Sequence, residues 1–373
     1  MMPSDSFNEK SEASELLHCL PNQPVYMGVT ENLIVLDEYI DQRWVVSKEG
    51  IIQLKDRLDI AKLYEKSHNS GAVGQIWRRH HCEFAEFIKK HAVGGSVLEL
   101  GGGHGILHSL LSDFANLTDD WTIIEPGDNT KKQGNLKLIN KIFDDSTVLG
   151  RQYDVIIHSH LFEHLYEPVK TVKNLNNHMS GTGRMCFSLP NMKRMVEKGY
   201  VNSINFEHTI FLPEDLVEEI LNSGGFQIIE KQYFMDDHSI FYCCKHNYSQ
   251  RLFDYNAKQD YRALIKNLFV DREAEIADLN RKIELIQGRS VYLFGAHIFS
   301  QYLVSNGLET YRVKGILDND KTKQGKRLYG TELIVRSPTI LKNEDAAVVL
   351  RAGAYNDEIK SQLLTINNAT IVI

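Results

Sequence analysis

The stretch SVLELGGGHG at 96–105 constrains the fold more than any other part of the chain. An apolar run ends in a glycine-rich turn, and ILHSLLSDFA follows with helical spacing, which reads as strand, turn and helix. The same alternation continues downstream. WTIIEPG, YDVIIHSH and GRMCFSLPN read as strands, the EP after the second histidine opens a helix, and PEDLVEEILNSGGF is a helix closed by glycines. FQIIEKQYF and SIFYCCKHN supply two last strands. Strand and helix alternating over some 150 residues imply a parallel-rich α/β sheet with helices on both faces.

Around this core the pattern changes. Residues 1–15 are polar and acidic, read as disordered, and do not have the make-up of a signal peptide. The short apolar runs VYMGV, NLIVLDEYI, RWVVS and GIIQL between 16 and 60 read as strands of a small β-rich module. From 60 to 91 the spacing of Ile76, Phe84, Phe87 and Ile88 is helical. Residues 249–287 are polar, charged and free of glycine and proline, and read as one long connecting helix, its apolar positions packing on a neighbour or forming a dimer seam. SVYLFGAHIFSQYL then begins a second, smaller α/β domain. The expected divisions are 1–60, 61–248, 249–287 and 288–373, with a ligand cleft between the two sheets.

Composition narrows the function. The net charge is −7 and no basic tract exists, which argues against a polymeric nucleic-acid partner. No apolar run reaches the length of a membrane span, so no membrane partner is expected. Cysteines at 19, 82, 186, 243 and 244 form no paired CxxC, so neither a structural metal nor a disulfide framework is expected, and the expected compartment is the reducing cytoplasm. The oligomeric state is not readable.

The glycine turn carries the first chemical signal. Gly101, Gly103 and Gly105 permit a tight turn and a close backbone approach to a ligand. Glu99 lies two residues before the first of them, where it can hold an ammonium group. Glu125 ends the next strand, where a carboxylate can accept from both hydroxyls of a ribose.

The second signal is HSHLFEHLYEP at 158–168. If DVIIHSH is the fourth strand, His158, His160, Glu163 and His164 reach the crevice at its end. One reading is a metal site on H-x-H-x-x-x-H; another is acid–base chemistry; a third is a helix start. A second Glu-His pair, Glu207 and His208, lies on the loop after the fifth strand. It is either an acid–base device or a cap on the following helix.

In combination these motifs resemble the class I S-adenosylmethionine-dependent methyltransferases over roughly 60–247. The matching elements are ELGGGHG, Glu125 and DVIIHSHLFEHLYEP. The resemblance implies a Rossmann-like methyltransferase core that binds S-adenosylmethionine. Glu99 and the glycines contact its methionine part, Glu125 its ribose, and Phe143 and Asp144 in KIFDD flank the adenine. It also implies that His160 lines the cofactor pocket and that His164 is structural or, as the rival, catalytic.

The three-part order further resembles sugar C-methyltransferases that act on nucleotide-linked deoxysugars. The residues behind this are FGAHIFSQYL, DNDKTKQGK from Asp318, Ala354 with Tyr355 and Asn356, and Glu207 with His208. By this resemblance His208 is the general base, Glu207 orients it or binds a substrate hydroxyl, and Asn205, Tyr355 and Asn356 contact substrate. The substrate implied is a nucleotide-activated sugar or related polar metabolite of deoxysugar or polysaccharide biosynthesis. Two departures stand out. Only Cys19 remains of the cysteines expected in the N-terminal module, and Asn205 replaces a tyrosine two residues before the Glu-His pair. A hydroxyl or nitrogen acceptor therefore remains open beside carbon. The competing readings are a catalytically inactive S-adenosylmethionine-binding protein and an NAD(P) enzyme using GAHIFS, whose turn lacks a third spaced glycine.

Overall fold

A computed structural model describes residues 14–59, 74–103, 105–114, 117–126, 136–249 and 252–373. The expectation of disorder over 1–15 falls mostly outside the described residues, and so does that of helix over 60–73; Glu15 already belongs to a strand.

The N-terminal module contains β1 (Glu15–Pro24), β2 (Val29–Thr30), β3 (Tyr39–Val46) and β4 (Ile52–Leu54). β1, β3 and β4 form an antiparallel sheet. Trp44, Val46, Ile52 and Leu54 are buried. NLIVL does not become a strand: Ile34–Leu36 is a single 3₁₀ turn with Leu33, Val35 and Leu36 exposed.

The core contains β5 (Gly95–Leu100), β6 (Leu117–Ile124), β7 (Lys137–Ile139), β8 (Tyr153–Ser159), β9 (Met179–Pro190), β10 (Phe226–Phe234) and β11 (Ser239–His246). Their order is β10-β11-β9-β8-β5-β6-β7. The run from β9 to β7 is parallel, while β11 is antiparallel to β9 and β10 to β11. Helices α1 (Gln75–His91), α2 (Ile106–Leu111), α3 (Pro168–Asn177), α4 (Met192–Glu197) and α5 (Glu214–Ser223) accompany it. This is the Rossmann-like α/β architecture expected from the alternation.

The strand sequences explain the two layers. In β5, Val97 faces the side of Phe84, Phe87 and Ile88 from α1 and of Leu107 and Leu111 from α2. Its neighbours Leu98 and Leu100 face the side of Val172 from α3 and of Leu216 and Ile220 from α5. A strand covered on both faces needs apolar residues at successive positions, which is why VLEL and DVII read as continuous runs. The order reverses between β5 and β8, so the ends of these two strands open a crevice.

The connecting helix is shorter than expected. α6 spans Arg262–Leu285, and residues 252–259 form no helix. Its apolar positions Leu268, Ile276, Leu279 and Ile283 are buried within the chain, and His18 of β1 stacks on Phe269 at 4.1 Å. Leu252 lies outside the helix and is exposed.

The C-terminal domain has β12 (Ser290–Phe294), β13 (Val313–Leu317), β14 (Arg327–Leu328), β15 (Val335–Arg336), β16 (Ala346–Leu350) and β17 (Ile371–Val372), with α7 (Ile298–Ser305) and α8 (Asn356–Ile366). Five strands form a parallel sheet in the order β15-β13-β12-β16-β17. The sixth, β14, pairs instead with β2 of the N-terminal module. Beside that pairing Arg327 meets the buried Asp37 through two bonds of 2.6 Å. Gln301 of α7 also reaches across, donating to the Tyr26 carbonyl at 2.8 Å and accepting from Gly28 N–H at 3.1 Å. One hydrophobic cluster runs from Trp44 and Leu54 through Phe211, Ile265 and Leu279 to Leu293 and Val313. Module, core and C-terminal domain therefore share a continuous interior.

Candidate active site

A cavity of about 820 Å³ opens at the crevice and continues to the C-terminal domain. Glu99, Gly101, Gly103, Glu125, Phe143, Asp144, His160, His164, Asn205, Glu207, His208 and Tyr355 all lie on its wall. Gly105 does not, and instead precedes α2 in a left-handed conformation. Asn356 does not either; its Oδ1 accepts from Ala352 N–H at 2.8 Å and closes a turn of its own domain.

At the cofactor end, Glu99 is 2% exposed and accepts from the Trp121 indole N–H at 2.9 Å. Burial pushes its carboxyl up to about 8; the indole bond opposes this and Glu125 adds to it. An acid buried this way is suited to receive a cation. The glycine turn is tight for a physical reason. Gly101 has φ +73°, and a Cβ on Gly102 would stand 2.4 Å from Glu99 Cδ. Phe143 is buried, edge-on to His178 at 5.9 Å. Asp144 Oδ1 is engaged by Ser146 and Thr147 in a local turn.

The histidines of the opening motif part company. His158 is 1% exposed, stacked on Phe187 at 4.7 Å, and burial brings its imidazole down to about 3. His160 turns the other way because its backbone takes φ +51°, while its N–H donates to the Ser188 carbonyl at 2.8 Å. The H-x-H-x-x-x-H ligand set is therefore not assembled. Among the described residues two other groups converge: His80, His160 and His238, and Glu163, His164 and His208. His80 and His238 sit far from the motif in sequence and carry no local signal, so the first group was not foreseeable. Neither group includes Cys19.

The two Glu-His pairs meet. The His164 and His208 rings are 4.8 Å apart, edge to face, and Glu163 reaches within 4.8 Å of a nitrogen on each. Glu163 has no exposed side-chain surface. Burial favours its neutral form, but His160, His164 and His208 together hold it down to about 2. Asn205 shapes this loop, since its Oδ1 accepts from the N–H groups of Glu207 at 2.8 Å and His208 at 3.1 Å. Its Nδ2 donates to the Asn202 carbonyl at 3.2 Å. The amide thus folds the loop that presents His208.

The far wall belongs to the C-terminal domain, with His297, Phe299, Lys323 and Tyr355. Its own glycine turn is already engaged: Ala296 N–H donates to Asp318 Oδ2 at 2.8 Å, and Lys323 Nζ lies 3.6 Å from that oxygen. A dinucleotide phosphate needs such N–H groups free, which disfavours the NAD(P) reading.

Residues 76–231 match the family model described as a methyltransferase domain. No curated protein matches the chain significantly. Solved structures align with it at low identity. One is an S-adenosylmethionine-dependent methyltransferase from Clostridium acetobutylicum: 13% identity, 45% of this chain, 92% of that one, TM-score 0.36. Another is the CcbJ methyltransferase from Streptomyces caelestis: 14%, 51% and 96%, TM-score 0.36. A third is the glycopeptide N-methyltransferase MtfA with S-adenosyl-L-methionine: 15%, 44% and 93%, TM-score 0.36. The strand order is that of a Rossmann-like α/β core, and residues 76–231 within it match the methyltransferase-domain model.

Proposed function

We propose that this chain transfers a methyl group from S-adenosylmethionine to an oxygen or carbon nucleophile of a small polar acceptor, a nucleotide-linked sugar or related metabolite. The acceptor lies between the core and the C-terminal domain. Glu99 takes the cofactor ammonium, Glu125 the ribose hydroxyls, and the Phe143 segment borders the adenine. The cofactor supplies an already activated methyl group, so the protein mainly orients the partners and removes a proton.

His208 is the base in this reading. It reaches the cavity on a loop fixed by Asn205, next to His164 and at the end of β8 where the crevice opens. Glu207, also on the wall, suits a substrate hydroxyl. The observation that carries the proposal is the meeting of the two Glu-His pairs beside a crevice that holds a buried, cation-seeking Glu99. Titration calorimetry with S-adenosylmethionine, then methyl transfer to candidate nucleotide sugars, tests it. Failure to bind the cofactor sinks the whole reading; binding with transfer only to unrelated acceptors sinks the sugar.

A further inference from the structure

A run of hydrogen bonds from Tyr355 of the C-terminal domain reaches His160, which makes an ion-pair contact with the buried Glu163. The Tyr355 hydroxyl lies 3.1 Å from His238 Nε2, and His238 Nδ1 lies 2.7 Å from Ser239 Oγ. Ser239 Oγ lies 2.9 Å from His160 Nε2, and His160 Nδ1 lies 3.3 Å from Glu163 Oε1.

An ionised carboxylate can only accept, so His160 Nδ1 faces Glu163 as a donor. A hydroxyl has one proton and two acceptor sites, so the directions at Tyr355 and Ser239 are part of the proposal. With each hydroxyl donating onward, Tyr355 O–H donates to His238 Nε2, His238 Nδ1–H to Ser239 Oγ, Ser239 O–H to His160 Nε2, and His160 Nδ1–H points at Glu163. In this arrangement both His160 and His238 carry a proton on Nδ1. Burial and the neighbouring imidazoles keep His238 neutral by bringing it down to about 3. Both ring nitrogens of both histidines are consumed in the run. This makes a metal held by His80, His160 and His238 the poorer account of the cluster.

We propose that Glu163 is the positioning carboxylate of the base His208, and that the run from Tyr355 through His238, Ser239 and His160 holds it in place, so that the base is competent only when the C-terminal domain is seated on the core. This rests on the methyltransferase reading and deepens it. His208 Nδ1 is buried without a hydrogen-bond partner, and Glu163 is the buried carboxylate that converges on that ring. A bond from Nδ1–H to Glu163 leaves Nε2 as the lone pair for the acceptor proton, the usual logic of an oriented imidazole base. The other groups facing His208 are the His164 ring and the adjacent Glu207, whose charge is also felt by the phenols of Tyr26 and Tyr166.

The test combines nitrogen-15 NMR of the histidine rings in the wild-type protein with steady-state kinetics of three variants. Nδ1–H tautomers are expected for His160, His238 and His208. Glu163→Gln is expected to lower kcat by about 10²-fold or more at unchanged S-adenosylmethionine affinity. It also removes an anion that favours imidazolium, so the acid limb of kcat/KM moves to lower pH by about one unit. Tyr355→Phe, far from His208, moves the limb the same way by less and spares cofactor affinity. Glu207→Gln moves the limb by less than Glu163→Gln does. Three results overturn the proposal: Nε2–H at His160; a limb that follows Glu207 and ignores Glu163; or one equivalent of zinc in untagged protein that is lost with His160→Phe. If Glu163→Gln fails to fold, the wild-type tautomers and Tyr355→Phe decide. Absent cofactor binding with the expected tautomers would reject the methyltransferase reading while leaving the hydrogen-bond run intact.

Discussion

Cofactor binding should release a proton, because Glu99 must ionise to receive an ammonium group. Its carboxyl stands at about 8 in the empty protein, pushed there by burial. At neutral pH about nine in ten molecules therefore hold Glu99 protonated, and binding expels about 0.9 proton per cofactor. Apparent affinity should then rise almost tenfold per pH unit between about pH 6 and about pH 7. The rise ends near pH 8, where the ligand's own α-amino group begins to lose its charge. Stability of the empty protein should run the opposite way. The folded value lies above the ordinary 4.5, so the stabilisation is complete below about 4.5 and is lost as pH climbs to about 8, at most about 5 kcal/mol. Glu99→Gln should flatten both trends. It should also weaken binding about 10- to 100-fold near pH 8, the worth of one charge-assisted hydrogen bond. Calorimetry in buffers of different ionisation enthalpy counts the protons, and thermal melts across the same range follow stability. A flat affinity profile with no buffer dependence would refute the assignment of Glu99 to the ammonium group.

Three further outcomes are expected. Glu125→Ala should weaken S-adenosylmethionine binding by at least tenfold, since paired ribose bonds to a carboxylate are charge-assisted; unchanged affinity by calorimetry would remove Glu125 from the site. His208→Ala should cut turnover about 10²-fold while cofactor binding persists, and a dead His164→Ala beside a near-normal His208→Ala would reverse the roles of the two Glu-His pairs. Arg327→Ala should cost about 3–5 kcal/mol by leaving Asp37 buried and unpaired, read as a lowered denaturation midpoint; a shift within error would mean that this pair does not hold the N-terminal module to the C-terminal domain.

The periodic parts of the molecule were legible in the residues. VLEL and DVII announced doubly covered strands, and PEDLVEEILNSGG announced α5, because burial on a sheet or along a helix leaves a repeating apolar pattern. ELGGGHG and the following acid marked the crevice, since a turn that wraps a ligand needs glycine at fixed offsets. NLIVL misled, because a short apolar run on an exposed 3₁₀ turn looks like a strand. The connecting helix was expected to begin earlier because residues 252–259 carry no glycine or proline to mark its start at Arg262.

The sequence by itself determined the layers, the strand-end acids and the presence of two Glu-His pairs, all of which depend on residues close together along the chain. Only the tertiary structure decided what these residues face. It split His158 from His160 through one left-handed backbone angle, and it brought His80, His238 and Tyr355 to His160 across distant elements. It also paired β14 with β2, giving the N-terminal module and the C-terminal domain a common sheet. Such contacts join residues that share no local period. Their energy comes from burying and satisfying polar groups after the chain has closed, and no window of sequence contains both partners.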